Sequence, residues 1–185
     1  MLLEILKEKI VTGLMTVSLL MFGSHQVNDV KMTDPEISFE SNKLTTSVYL
    51  QDAFANDFEQ LFKSGKELKV YYRLELKVND KPTLNQTFIH SVLFDPMAQM
   101  FDVFSEETSS SFTCSDVKDV IGYLSFFNCS KEFPEGFPPG AKLNVKITSF
   151  LTEITMTGDR KYDLMMFWKF KKPEAEAVFY IENDS

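Results

Sequence analysis

Two histidines, two cysteines and a scatter of carboxylates are the side chains from which this chain could build chemistry. His25 stands beside an apolar leader, so His90 is the one histidine within the body of the sequence. A general base needs a nucleophile or a carboxylate within hydrogen-bond reach. The strand reading sets Tyr72 opposite His90, which supplies neither, and His90 reads as a satisfied, half-buried side chain. Two histidines and two widely spaced cysteines make no zinc pattern, and no glycine-rich loop follows a strand to cradle a phosphate. Acidic pairs such as Glu106-Glu107 and Asp57/Glu59 read as solvated surface. The expectation is therefore a protein without catalytic residues, cofactor or metal.

Cys114 and Cys129 form an even pair, as an exported disulfide requires. They flank a segment with helical spacing. A straight helix of that length would hold their Cα atoms about 22 Å apart at ~1.5 Å per residue. A bridge needs less than about 7 Å, so pairing requires the chain to fold back after Phe126; otherwise both are buried or free thiols. NQT at Asn85 and NCS at Asn128 match the glycosylation acceptor, a short pattern that also arises by chance.

The totals narrow the function further. The chain has 185 residues, 44% of them hydrophobic, and a net charge of −8 from 19 basic and 27 acidic residues. That length and greasiness suit one globular domain plus a leader. The charge, with Arg73 and Arg160 as the two arginines, excludes nucleic acid as a main partner, because phosphate binding needs clustered Lys and Arg. The 18 phenylalanines read first as aromatic core and second as the lining of a greasy cavity.

Residues 10–22 run apolar apart from two threonines, a glycine and a serine. This is the length of a signal-peptide core and short of the roughly 20 residues that span a bilayer. The expectation is that residues 1–26 are a signal peptide or membrane anchor. Residues 27–185 then form one domain outside the cytoplasm, with membrane association through the leader.

From Glu36 onward the pattern has mostly period two. EISF and KLTTSVYL read as a hairpin around ESNK. Phe54, Phe58, Leu61 and Phe62 repeat at helical spacing, with Asp52 as cap and Gly65 as stop. ELKVYYRLELKVN (67–79) alternates cleanly and pairs with LNQTFIHSVLF across a five-residue NDKPT loop. That register puts Val70 opposite Val92, Leu74 opposite Phe88 and Tyr72 opposite His90. AQMFDVFSE (98–106) is a third strand, followed by a serine-rich loop. Val117, Val120, Ile121 and Leu124 make a second helical stripe capped by Ser115. KLNVKITSFLTEITM carries a parity switch that predicts a bulge near Ser149. LMMFWKF and AVFYI are closing strands. The fold class is mainly β: an antiparallel, immunoglobulin-like β-sandwich with two short helices, preceded by an N-terminal apolar helix.

The segment 131–142, KEFPEGFPPGAK, cannot be regular structure. Phe133 and Phe137 sit between prolines, as partner contacts or as rings closing one end of the sandwich. The helix ending Leu61 to Gly65, the pair Phe94-Asp95 and the run Phe101-Asp102-Val103 resemble a bacterial envelope family of unknown function, across about residues 36–170. The resemblance implies an exported or membrane-associated β-rich domain and carries no catalytic residues. The functional expectation is a non-enzymatic envelope domain that binds or scaffolds a protein partner through open strand edges and the 131–142 loop. The alternatives are a carrier of a hydrophobic ligand in a Phe-lined cavity, or a hydrolase with an unrecognised carboxylate site.

Overall fold

The computed structural model describes residues 27–55, 57–155 and 161–182. The expected N-terminal helix, the signal or anchor reading of residues 1–26, and His25 lie outside them.

Alternation dominates the body of the chain, and antiparallel sheets follow from it. Strands β1 (Lys31–Met32), β2 (Glu36–Glu40) and β3 (Lys43–Gln51) come first, then helix α1 (Phe58–Phe62). Next are β4 (Leu68–Val78), β5 (Lys81–Asp95), β6 (Met100–Ser105) and β7 (Ser110–Cys114). Helix α2 (Val117–Ser125) runs directly into β8 (Phe126–Glu132), followed by β9 (Lys142–Leu151) and the short pair β10 (Glu153–Thr155) and β11 (Lys161–Asp163). A 3₁₀-helix (Leu164–Trp168) and β12 (Glu174–Tyr180) end the described chain. One sheet has six strands in the order β12-β9-β4-β5-β6-β7. In the other, β2 and β8 flank β3, and β1 pairs with its far end. Four consecutive strands are neighbours in the larger sheet, an order that differs from the strand division of an immunoglobulin domain.

The two sheets meet through aromatic rings. Tyr72 of β4 stacks on Phe127 of β8 at 4.9 Å, and Phe88 of β5 lies 5.6 Å from the same ring. The Tyr72 hydroxyl donates to the Leu124 carbonyl at 2.6 Å, tying the sheet to α2. Toward one end, Phe54, Phe58, Phe62, Phe167 and Trp168 are buried and touch ring to ring. The phenylalanines of this end fill space against one another.

Several local expectations need correction, each for a physical reason. The NDKPT loop is a two-residue turn, with Asn79 and Asp80 both at positive φ, as a hairpin with right-handed twist favours. Pro82 has no N–H to give, and the register shifts there, between Leu76 and Lys77. Tyr72 therefore faces Phe88, and His90 faces Val70. Helix α1 is shorter than its stripe: Asp52 has φ +55 and is no cap, although Gly65 does take a left-handed φ of +70. Asp116, not Ser115, caps α2, its carboxylate accepting from the Lys118 amide at 2.8 Å. The serine-rich loop contains β7, paired with β6 from Ser105↔Ser110 to Phe101↔Cys114. Ser149 marks no bulge, since β9 pairs with β4 through Leu151 without a shift. Ser149 stays on the buried parity because its hydroxyl donates to the Tyr71 carbonyl at 3.0 Å. LMMFW is a 3₁₀-helix and not a strand.

Candidate functional site

His90 lies on the inward parity of β5 with Phe88 and Val92, its ring 4.9 Å from Tyr72. Both ring nitrogens face protein acceptors: Nδ1 is 3.2 Å from the Tyr123 carbonyl, and Nε2 is 2.7 Å from Oε1 of Glu107. The two side chains are 1% and 2% exposed. This overturns the reading of Glu106-Glu107 as a solvated pair and of His90 as lacking a carboxylate. The turn between β6 and β7 folds Glu107 inward while Glu106 stays exposed. A sequence reading that misses β7 has no means of placing that turn.

A neutral imidazole carries one N–H, so it cannot donate to both acceptors. Both contacts are hydrogen bonds at once only when an extra proton is shared between the two side chains; with one N–H, one of the two acceptors goes without. Burial pushes the Glu107 carboxyl up, but the hydrogen bond and charge of His90, the Ser105 hydroxyl and its own amide together hold it below the ordinary range. Its second oxygen, Oε2, is buried with no hydrogen-bond partner among the described residues. Held at both nitrogens, His90 pins β5 to α2 and to the β6–β7 turn.

Above the pair lies an open cleft of about 540 Å³, between the β6–β7 hairpin, α2 and β8. A chain of hydroxyls crosses its rim: Ser105 to Thr108 at 2.9 Å, Thr108 to Ser110 at 2.6 Å, and Ser110 to Tyr123 at 2.7 Å. Phe112, Tyr123 and Phe126 supply ring surface, Lys118 and Asp119 opposite charges, and Gly122 a bare stretch of helix. A second hollow of about 440 Å³, lined by Tyr49, Asp52, Phe54 and Ile121, opens beside α2. Tyr49 and Phe126 are direct cross-strand partners, 39% and 47% exposed, and each lines one of the two hollows.

The residues singled out from the sequence fall elsewhere. Cys114 and Cys129 are separate buried thiols on strands of different sheets, because the chain does turn back at Phe126 but carries Cys129 into β8. Burial pushes the Cys129 thiol up to about 11. Phe133 and Phe137 are half-buried, 4.7 Å apart, with Phe137 5.2 Å from Phe39. That arrangement covers the end of the smaller sheet. Asn85 and Asn128 are both exposed on strands. Among the described residues, no group of three or more His, Cys, Asp and Glu side chains stands ready to hold a metal, and no helix is long and apolar enough to cross a membrane.

No family model, curated protein or solved structure matches this chain.

Proposed function

We propose that the chain is a non-enzymatic envelope domain, exported or membrane-anchored by residues 1–26, that binds a partner protein. The two sheets serve as the layers of an antiparallel sandwich, and α2 with the exposed Tyr49–Phe126 pair forms the contact face. The observation that carries this reading is that pair, standing between two hollows. Large aromatic side chains beside concave surface are the composition of interface anchors. They cost area in water that a monomer has no reason to expose in one place. Phe133 and Phe137 remain secondary contacts, since both are partly buried, against each other and, for Phe137, against Phe39.

The test is a photo-crosslinking side chain at position 49 of the full chain, expressed in its own cells. A single discrete adduct, lost on Phe126→Ser and absent when the same group replaces the exposed Thr87 on β5, supports the reading. No adduct at position 49, or equal adducts at 49 and 87, refutes it. Cell fractionation with N-terminal sequencing addresses the compartment separately: product recovered in the soluble cytoplasm and beginning at Met1 excludes export.

A further inference from the structure

The run Lys169-Phe170-Lys171-Lys172 follows the 3₁₀-helix and is exposed at every residue. Phe170 is 67% exposed, more than any other described aromatic side chain. Lys169 and Phe170 both hold a left-handed backbone, with φ of +53 and +57. Side chains other than glycine rarely do so, and a bulky one is a clear outlier. Three backbone hydrogen bonds enforce the turn. The Lys169 amide donates to the Met166 carbonyl at 3.2 Å, the Phe170 amide to Met165 at 2.8 Å and the Lys171 amide to Trp168 at 2.9 Å. Glycine would adopt this backbone without strain. The chain instead holds a large ring out into solvent on a strained turn, and such strain clusters at functional positions.

Tertiary structure adds a fourth lysine. Asp29 lies 3.7 Å from Lys171 and 3.9 Å from Lys31, so the first described residues run alongside the turn. The Asn28 amide fixes them there by donating to the Phe167 carbonyl at 2.8 Å. Four lysines and one exposed ring thus meet at the point from which residues 1–26 extend, on a chain whose net charge is −8. Among the described residues, Asp29 is the one carboxylate in ion-pair contact with these lysines. None of them, nor Phe170, lines either hollow beside α2. A convex tip of this kind offers no pocket to a peptide side chain. It suits a surface that yields to it, as the headgroup layer of a bilayer does.

We propose that this turn is a membrane-surface contact: Phe170 enters the headgroup layer of an anionic bilayer, and Lys31, Lys169, Lys171 and Lys172 meet lipid phosphate. The inference rests on the reading of residues 1–26 as a membrane anchor. Residues 10–22 are short for a spanning segment, and a weak apolar attachment gains from a basic patch beside it. The contact uses no residue of the Tyr49–Phe126 face.

The test places an environment-sensitive fluorescent side chain at position 170 of the purified full chain. Vesicles of phosphatidylcholine, alone or mixed with phosphatidylglycerol, carry nitroxide lipids that quench it. Quenching should be strong on the anionic vesicles, severalfold weaker on phosphatidylcholine alone, and reduced by high salt. The same label in place of the exposed Thr87 should not respond. Lys31→Gln, Lys169→Gln, Lys171→Gln and Lys172→Gln together should remove most of the anionic-lipid response. Phe170→Gly should leave thermal unfolding unchanged or raised, because glycine relieves the turn. A marked loss of stability there would make Phe170 a residue of the fold and overturn the proposal. Vesicle flotation separates the contact from the anchor. A chain that floats with both vesicle types while position 170 stays unquenched keeps the anchor and overturns the contact. A chain that floats only with anionic vesicles, and no longer does so with the four substitutions, keeps the contact and loses the anchor. Flotation with neither overturns both. Equal quenching on the two vesicle types, or quenching that ignores the four substitutions, would also overturn the contact. A label that ignores lipid but shifts with polyglutamate would assign the patch to an acidic protein and overturn it as well.

Discussion

At the level of single residues, the His90–Glu107 contact joins two titratable groups with almost no water around them. Removing one partner of such a pair strands the other, at a cost of ~3–5 kcal/mol, whereas replacing both with apolar groups is often near neutral. Glu107→Ala should therefore lower the denaturant midpoint sharply, and His90→Leu with Glu107→Leu should recover most of the loss. A double variant no more stable than Glu107→Ala would show that the pair is not an isolated coupling. The pH dependence has a defined sign. The folded state holds the Glu107 carboxyl below its ordinary value of 4.5, so its contribution is complete above that pH and is lost as pH falls through the lower folded value. Stability should decline below about pH 4.5 (the onset set by the unfolded carboxyl), and Glu107→Gln should lack that component of the decline. Cys129 offers a check of another kind. With its thiol pushed up to about 11 by burial, it should resist iodoacetamide at pH 8 in the folded protein. After unfolding, Cys114 and Cys129 should both alkylate without reductant; a chain that takes up no label until reduced would contain a bridge.

At the level of elements, the sequence showed helices and strands more clearly than their ends. The stripe Val117, Val120, Ile121 and Leu124 was legible because four side chains recur on one face, and Val120 and Leu124 are buried as that face requires. The cap was not legible, since Ser115 and Asp116 are both good caps and only the local backbone selects between them; Asp116 is extended with its carboxylate on the Lys118 amide. Asp116→Ala should cost ~1 kcal/mol in chemical denaturation, and Ser115→Ala markedly less. Gly122→Ala should stabilise by ~0.5–1 kcal/mol, because the methyl meets open space and the helix gains a better former. A destabilising alanine there would mean that the helix backbone at position 122 requires glycine.

At the level of the whole molecule, a single carbonyl ties three distant segments together. The Trp168 indole donates to the Ala53 carbonyl at 2.8 Å, and Asn28 donates to the same oxygen at 3.0 Å. The 3₁₀-helix, the turn before α1 and the first described residues thus share one acceptor. Trp168→Ala should destabilise by ~3–5 kcal/mol, as for other large buried aromatics. Trp168→Phe should cost clearly less, because Asn28 still satisfies Ala53 and most of the ring volume remains. Equal losses for the two variants, measured by thermal or denaturant unfolding, would place the importance of Trp168 in its hydrogen bond.

What the sequence alone determined was parity. Alternation from Glu36 onward assigned the inward sides of β3, β4, β5 and the first half of β9 correctly, because a strand's side chains change face at each residue whatever it pairs with; the expected switch at Ser149 does not occur. A two-residue error in the β4–β5 register left that parity intact, and so passed unseen. Only the tertiary structure decided which strands are neighbours, and with that every long-range contact. Glu107 reaches His90 through a hairpin whose second strand, SSFTC, has too few greasy residues to announce itself. LMMFW is a 3₁₀-helix that buries Trp168 and lets its indole donate to the Ala53 carbonyl, a partner 115 residues away that no local pattern announces. The cleft is made by β5, the β6–β7 turn, α2 and β8 together, and no stretch of sequence contains a surface that four elements must meet to form.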